Sequence, residues 1–216
     1  MTDLIMLRHG ETVGQSSIRL YGATDIHLSP IGEAQLERAA AALRPHRFAR
    51  VLTSPLQRAR RSAEIVLAAQ HEPAPLEIVP DFREIDFGAW EGWTYAEAEA
   101  RDPDGYRRWH SEGTDFTYPG GESRSAFHAR VHAATHALLN EPSTPGPILG
   151  VLHKGVIKAM LAALTGQPPA EVAQLPIALG SLHRLRRTGA PRRGGAAWTL
   201  VATGETAHLG ELDLGG

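Results

Sequence analysis

The chain alternates between short apolar runs and longer segments in which apolar residues recur every three or four positions. The runs at 3–7, 50–53 and 147–152 have the length and apolar content of buried strands. Residues 30–43 have the apolar spacing of a helix, and a serine–proline pair stands at their start. The same pair occurs again directly after residue 53. A serine followed by proline is a common start signal for a helix. The alternation predicts βαβ units around a mostly parallel sheet.

The rest of the chain extends this pattern. It predicts, in order, a helix beginning at Ser54-Pro55, a strand at 76–79, helices at 122–139 and 156–164, and strands at 182–187 and 198–202. The last two strands are expected to be antiparallel at a sheet edge and joined by a hairpin loop at 189–195. Residues 82–121 are irregular and rich in Trp, Gly, Asp and Pro, which is typical of an insertion that covers a site.

The predicted fold class is therefore α/β. We expect one three-layer α/β/α domain over 1–216, in which helices flank a mostly parallel central sheet. A short irregular or helical insertion, at about 82–121, is expected to lie over the C-terminal edge of that sheet.

Composition narrows the possible functions. The 216 residues are 42% hydrophobic and 21% charged, as in ordinary globular proteins with a sizeable core. The net charge of −2 gives no overall attraction to nucleic acid or to an anionic membrane, so any anion site must be local. The absence of cysteine excludes disulfides and thiolate chemistry. With no basic signal region and no apolar stretch long enough to span a bilayer, a cytoplasmic protein is expected.

Two predicted strands end in histidine. The first strand runs into Arg8 and His9, and the strand at 147–152 runs into His153 and Lys154. Ligands of α/β sheets bind beyond the carboxyl ends of the strands. Arginine fixes an oxyanion such as phosphate there, and a neutral histidine can attack phosphorus or move a proton. We therefore expect a cationic anion pocket at this edge.

Two further residues suit such a pocket. Arg58 lies in the first turn of a predicted helix, where the helix dipole disfavours a cation unless an anion sits in front of the helix end. Glu84 lies among Phe82 and Ile85, and desolvation there would raise the pKa of its carboxyl, as suits a general acid. The alternatives at this point are a surface arginine at 58 and, at 84, an acid paired with Arg83.

Five blocks of sequence, in this order, resemble the histidine phosphatase superfamily, which has the phosphoglycerate-mutase-like fold. The resemblance covers nearly the whole chain and is closest to the phosphatase branch, including the α-ribazole phosphatase and broad-specificity types. The blocks are Arg8-His9-Gly10-Glu11-Thr12, Ser54-Pro55-Leu56-Gln57-Arg58-Ala59, Arg83-Glu84-Ile85-Asp86-Phe87-Gly88 with Trp90-Glu91-Gly92, Pro119-Gly120-Gly121-Glu122-Ser123, and His153-Lys154-Gly155.

The resemblance implies a role for each matching residue. His9 would be the nucleophile that becomes phosphohistidine, and Glu84 would donate a proton to the leaving oxygen. The phosphoryl oxygens would be held by Arg8, Arg58 and His153. Tyr21 and Gly22 stand where the family's loop approaches the substrate.

The chain also departs from the family pattern. Lys154 replaces the usual glycine after the second histidine, and it either contacts a phosphate or carboxylate of the substrate or points outward. Gln15 stands where the family commonly has asparagine, and Gly180 replaces another common asparagine. Gln15 and Lys154 are kept as candidate substrate-binding residues.

These observations predict a metal-independent phosphomonoester hydrolase that works through phosphohistidine on a small phosphorylated metabolite. Phosphoglycerate-mutase-type transfer is the alternative, since Arg107 and Arg108 could clamp a substrate carboxylate, although a solvated helix face is the favoured interpretation of that pair. The third hypothesis is that the protein binds a phosphorylated ligand without catalysing a reaction.

Neither a cofactor nor a metal site is expected. The stripe of histidines at 128, 132 and 136 favours a half-exposed helix face. Nucleic acid and membrane partners are not expected either, since the arginines at 184–193 lack interleaved aromatic residues. The protein is expected to be a monomer or a homodimer.

Overall fold

The computed structural model describes residues 3–139, 146–188 and 198–212. The strands are β1 (Asp3–Arg8), β2 (Arg50–Thr53), β3 (Leu76–Ile78), β4 (Ile148–Leu152), β5 (Leu182–Arg187) and β6 (Trp198–Glu205). The helices are α1 (Pro30–Leu43), α2 (Gln57–Ala68), α3 (Tyr95–Arg101), α4 (Pro103–Ser111), α5 (Arg124–Leu139), α6 (Lys154–Thr165) and α7 (Pro169–Ala173). The hairpin loop predicted at 189–195 lies outside the described residues.

The six strands form one sheet in the order β3-β2-β4-β1-β5-β6. The first four strands in that order are parallel, and β5 and β6 run antiparallel at one edge. In the central pair, Leu4 of β1 lies opposite Ile148 of β4, and Arg8 lies opposite Leu152. The mostly parallel sheet and the antiparallel final strands are thus confirmed.

Apolar side chains fill both faces of the sheet. Along β1 the side chains alternate, so Leu4 and Met6 join one buried cluster while Ile5 and Leu7 join the other. The first cluster packs against α5, α6 and the aromatic residues of the insertion, and the second packs against α1 and α2. This arrangement gives the three layers that the alternating pattern predicts. Within the described ranges, no helix is long and apolar enough to cross a bilayer.

Several boundaries differ from the predicted ones. Helix α2 begins at Gln57 and not at Ser54-Pro55, because the Ser54 hydroxyl accepts the N–H of Leu56 at 3.2 Å in a turn that precedes the helix. Helix α5 begins at Arg124 instead of 122, whereas α6 begins two residues earlier than predicted, directly after His153. Strand β6 extends to Glu205. Helix α7, which starts on Pro169, was not predicted.

The insertion is more regular than its composition indicates. It contains α3, which begins with a capping box formed by Thr94 and Glu97, and α4, which Asp102 caps before Pro103. The helical form of the expected insertion is therefore the one present, and both helix starts can be recognised in the sequence. Its side chains add an aromatic cluster around the buried Trp90, which contacts Phe116 and Tyr118.

Candidate active site

Two histidines meet at the carboxyl ends of the central strands. The backbone N–H of His9, directly after β1, donates to the carbonyl of Leu152 at 3.0 Å, and His153 directly follows β4. Their rings are 5.1 Å apart between centroids, at an interplanar angle of 62°, and both residues are buried. The sheet therefore brings together two imidazoles that are 144 positions apart in the printed sequence.

His9 is held in a single protonation state. Its Nδ1 lies 2.7 Å from the carbonyl oxygen of Gly10, which can only accept, so Nδ1 carries the proton and Nε2 keeps its lone pair. Burial, followed by the positive charges of Arg58 and Arg8, holds the pKa of the imidazole well below its usual value. At neutral pH His9 is thus an uncharged imidazole whose Nε2 can act as a nucleophile.

Two buried guanidinium groups flank this ring. Arg8 Nη1 donates to the carbonyl of Ile177 at 2.7 Å, and burial lowers the pKa of Arg8 to about 10, so it remains protonated at neutral pH. Arg58 is completely buried, and it donates to three carbonyls of the loop at 21–24, those of Tyr21 (3.1 Å), Gly22 (2.8 Å) and Thr24 (2.9 Å). These bonds fix both side chains before any ligand arrives.

The pocket contains polar atoms without partners. Among the described residues, six buried side-chain nitrogen or oxygen atoms have no hydrogen bond. Four of them belong to this pocket: Arg8 Nε, Arg58 Nε and both ring nitrogens of His153. Leaving a buried donor unsatisfied costs about 1–3 kcal/mol, which structures normally avoid. An oxyanion bound between these groups would satisfy the arginine donors and one nitrogen of His153.

Glu84 completes the pocket with a carboxyl group. Its Oε1 accepts the N–H of Ile85 at 2.9 Å, and its Oε2 accepts the N–H of Gly155 at 2.8 Å. Burial raises the pKa of Glu84, against the opposing effect of these two bonds and of the charges of Arg58 and Arg8. A Cβ at 155 would lie 2.4 Å from Oε1, so any side chain there would displace the carboxyl group. This glycine allows helix α6 to approach the carboxyl group.

Comparison with known proteins agrees with this geometry. The family model for the histidine phosphatase superfamily (branch 1) matches residues 4–195. The chain belongs to this superfamily. It is 30% identical to a "Probable phosphoglycerate mutase GpmB" from Yersinia enterocolitica, over 97% of this chain and 95% of the relative.

Two further similarities extend this result. The chain is 37% identical to the bifunctional protein Rv2228c from Mycobacterium tuberculosis over 84% of this chain, but it spans about half, 49%, of that relative's length. It is also similar to the solved structure of the alpha-ribazole phosphatase from Shigella flexneri, with a TM-score of 0.82 and 25% identity over 94% of this chain and 96% of the other. The fold is therefore that of the histidine phosphatase superfamily.

The contacts around Arg58 bear on the expectation of an anion in front of its helix. Sequence reasoning placed an anionic ligand at the N-terminus of α2, but the carboxylate of Asp25 accepts the N–H of Gln57 there at 2.7 Å. A carboxylate of the protein itself thus occupies the N–H of Gln57 at this helix end. The Arg58 guanidinium instead turns to the carbonyls of the loop at 21–24.

Glu91 organises that loop, a role that sequence reasoning missed. Its carboxylate accepts backbone N–H groups from Gly22 (3.1 Å), Ala23 (2.9 Å), Thr24 (3.2 Å) and Phe87 (3.0 Å). Four amides around one carboxylate fix the loop whose carbonyls hold Arg58. The glycines next to Glu91 in the sequence are the one signal of a tight loop around it. The neighbouring residues do not indicate that its carboxylate contacts Gly22, which is 69 residues away.

Arg130 is a second supporting residue that was missed. It lies on α5, forms two hydrogen bonds to the carboxylate of Glu122 at 2.7 and 2.8 Å, and both side chains are 12% exposed. Its guanidinium also donates to the carbonyls of Asp81 (2.6 Å), Arg83 (2.8 Å) and Glu84 (3.2 Å). Arg130 therefore holds the segment that carries Glu84.

The remaining candidates differ in how exposed they are. Gln15 is exposed and has a left-handed backbone with φ 62°, where its carbonyl accepts the N–H groups of Ile18 and Arg19. The ring of Tyr21 lies against Gly14, since a Cβ on that glycine would be 2.6 Å from the ring. Gly22 is buried, and Lys154 is exposed at the start of α6.

The other groups considered lie outside the pocket. Arg107 and Arg108 form ion pairs with Asp104 and Glu112 on the exposed face of α4. On α5, His128 and His132 are ring neighbours at 5.9 Å. No cluster of three or more potential metal-ligating side chains occurs in the part of the chain that the structure describes.

Proposed function

We propose that this histidine phosphatase hydrolyses phosphomonoesters of a small metabolite in two steps, through phosphohistidine on His9, without a metal ion or an organic cofactor. The observation that carries this proposal is the group of unpartnered buried donors on Arg8, Arg58 and His153, gathered around the neutral ring of His9. Phosphoryl transfer needs in-line positioning and stabilisation of charge on the equatorial oxygens, and these groups supply both.

In the first step, Nε2 of His9 attacks phosphorus and the bond to the ester oxygen breaks. Protonated Glu84 gives its proton to that oxygen, so the alcohol leaves neutral. Arg8, Arg58 and His153 hold the three equatorial oxygens. In the second step, water attacks phosphorus and the P–N bond breaks. The Glu84 carboxylate takes the proton of the water, and inorganic phosphate leaves with the enzyme restored.

Transfer between two positions of one substrate is the second candidate function, favoured by the relative named as a phosphoglycerate mutase. Such an enzyme must protect phosphohistidine from water until the product rebinds. The arginine pair at 107 and 108 forms ion pairs with acidic neighbours on an exposed helix face, as a solvated helix face does, so nothing in its contacts favours a carboxylate clamp. This supports hydrolysis.

The proposed partner is a small phosphorylated metabolite in the cytoplasm, with Gln15, Tyr21, Gly22 and Lys154 near its leaving group. We do not propose nucleic acid or a membrane as a partner. Two of the arginines on β5, which would have to carry such binding, are ion-paired: Arg184 with Glu205 and Arg186 with Asp3. A monomer or homodimer suits this function, since the pocket is formed within one chain.

The test compares the wild type, His9→Ala and the exposed control His71→Ala on a panel of phosphomonoesters, measuring alcohol and free phosphate together. We expect the wild type and the control to release both products in equal amounts, and His9→Ala to lose at least about 1000-fold of the rate. Equal rates for wild type and His9→Ala would defeat the proposal. Rapid interconversion of 3-phosphoglycerate and 2-phosphoglycerate with little free phosphate would establish the mutase alternative. Binding without turnover would indicate a non-catalytic protein.

A further inference from the structure

The chain's two lysines lie side by side. Of its 22 lysine and arginine residues, only Lys154 and Lys158 are lysines, and every other cation is arginine. Both lie on α6, one helical turn apart, so their side chains share one face of the helix. Lys154 directly follows His153 of the phosphate pocket. The two compact ammonium groups are thus both carried by the helix that begins directly after His153 of the pocket.

Within the described part of the chain, neither lysine has an acidic partner. In the described ranges, arginines such as Arg19, Arg50 and Arg130 form ion pairs, whereas no carboxylate lies within 4.0 Å of the ammonium group of Lys154 or Lys158. Lys158 Nζ donates to the carbonyl of Ala173 at 2.5 Å, which supplies no negative charge. A lysine in the first turn of a helix also opposes the helix dipole, which favours an anion at that end.

The two ammonium groups share their electrostatic surroundings with the pocket. Burial and then the charge of Arg8 lower the pKa of Lys154, while Glu84 raises it. Burial, Lys154 and Arg8 together lower the pKa of Lys158. Lys154 lies between His153 and Gly155, whose N–H donates to Glu84, so the lysines belong to the helix that forms this wall of the pocket. The group made of Arg8, Lys154, Lys158 and Glu84 contains three cations and one carboxyl group.

The position of Glu84 shows which part of a substrate would meet the lysines. Glu84 protonates the ester oxygen in the proposed reaction, and its Oε2 accepts the N–H of Gly155, the neighbour of Lys154 on α6. This turn of α6 therefore faces the leaving group. The transferred phosphoryl group lies on the other side of the ester oxygen, among Arg8, His9, Arg58 and His153.

We infer that Lys154 and Lys158 form a subsite for a second anionic group on the leaving-group side of the substrate, either a carboxylate or a second phosphate. The inference rests on the proposed function and narrows its substrate class to phosphomonoesters of hydroxy acids and to bisphosphates. Arg107 and Arg108, on the exposed face of α4, have no part in this subsite.

Two pairs of substrates that each differ by a single anionic group test this inference. Glycerol 3-phosphate and 3-phosphoglycerate differ by a carboxylate, and fructose 6-phosphate and fructose 1,6-bisphosphate differ by a phosphate. The readout is the ratio of kcat/KM within each pair for the wild type, Lys154→Ala, Lys158→Ala and the charge-conserving Lys154→Arg. Arg44→Ala, which removes an exposed cation at the end of α1, is the control for net charge.

We expect the wild type to prefer the more anionic member of at least one pair, which identifies the anion as carboxylate or phosphate. Each alanine variant should reduce that preference about tenfold, the size of one lost charge-assisted hydrogen bond. Lys154→Arg should keep most of the preference, and Arg44→Ala should keep all of it. An unchanged preference in both alanine variants, or no preference in the wild type, would overturn the inference.

A binding measurement separates this inference from the proposed function. Calorimetry gives the Kd of each substrate for the His9→Ala protein, with and without the lysine substitutions, and needs no turnover. A lysine-dependent Kd ratio in a protein that proves inactive would support the subsite and refute the hydrolase. Active hydrolysis with a lysine-independent Kd ratio would support the hydrolase and refute the subsite.

Discussion

Replacing Gly155 by alanine should damage one chemical step while leaving the fold intact. The added Cβ would lie 2.4 Å from Oε1 of Glu84 and 3.1 Å from its carboxyl carbon. To reach an ordinary contact of 3.4 Å, the carboxyl group must retreat by about 1 Å, and it would lose its bond from the Gly155 N–H. Misplacing a catalytic group by that distance costs about 100-fold in rate. Alanine favours helix by up to about 1 kcal/mol over glycine, so unfolding would not explain the loss.

The loss should depend on the leaving group. Glycerol 3-phosphate releases a basic alkoxide that needs the proton of Glu84, whereas 4-nitrophenyl phosphate releases a stable anion that needs little help. We expect kcat/KM to fall about 100-fold for the first ester and less than about fivefold for the second. The control is Gly150→Ala on β4, whose added Cβ meets the flexible side chain of Leu152 at 3.1 Å. This control should leave the ratio of the two esters unchanged.

A double variant completes this test. In the Glu84→Gln background, Gly155→Ala should have almost no further effect on glycerol 3-phosphate, because both changes remove the same proton donor. Equal losses for the two esters, or independent losses in the double variant, would refute the assignment of Glu84 as the general acid that Gly155 positions.

Three other predictions concern the acid, the buried histidines and the support of the pocket. Glu84 must be protonated to act and burial raises its pKa, so kcat/KM for an alkyl phosphate should fall as pH rises through that pKa. Glu84→Gln should lower the rate about 100-fold and abolish this fall at high pH. A pH profile that Glu84→Gln leaves unchanged would exclude Glu84 as the general acid. The pKa values of His9, His153 and His183 are lowered, that of His183 to about 4, so protons bind preferentially to the unfolded chain as pH falls below about 6.5. The free energy of unfolding, measured in urea, should therefore drop by up to about 1.4 kcal/mol for each of these histidines per unit of falling pH. His183→Gln should make the free energy of unfolding depend less steeply on pH. The same pH dependence in His183→Gln and wild type would contradict the prediction. Arg130→Met should lower the free energy of unfolding by about 3 kcal/mol at pH 7, because it leaves Glu122 without its buried partner. The control Arg83→Met, at an exposed arginine, should lower it by less than about 0.5 kcal/mol. Equal effects of the two changes would show that the Arg130–Glu122 pair does not stabilise the fold more than an exposed pair.

The sequence predicts the parts of the fold that depend on local pattern. Helix α1 begins at Pro30, as its serine–proline start signal indicates. Strands β1, β2 and β4 can be predicted from their contiguous apolar residues alone. The proximity of His9 and His153 follows from one geometric rule, that parallel strands end at the same edge. For α3 and α4 the signals were equally local, in the capping box at Thr94 and the Asp102 cap, and the aromatic-rich composition obscured them.

The supports of the pocket depend on contacts between distant segments and could not be predicted in this way. Glu91 reaches the loop at 21–24, and Arg130 reaches the carbonyl of Glu84, over separations of 69 and 46 residues. A carboxylate in a Gly-rich loop and an arginine on a helix have many possible partners in the chain. Only the folded geometry shows that these two side chains hold the segments that carry Arg58 and Glu84.

The most direct test of the central claim is to trap the phosphorylated enzyme. Wild-type protein is mixed with a phosphomonoester labelled in its phosphoryl group, denatured at alkaline pH within one turnover and digested, and the labelled peptide is identified by mass spectrometry. We expect acid-labile, alkali-stable phosphate on the peptide that carries His9, and none in His9→Ala. Label on a serine or threonine, or full turnover with no labelled peptide at any quench time, would contradict the mechanism.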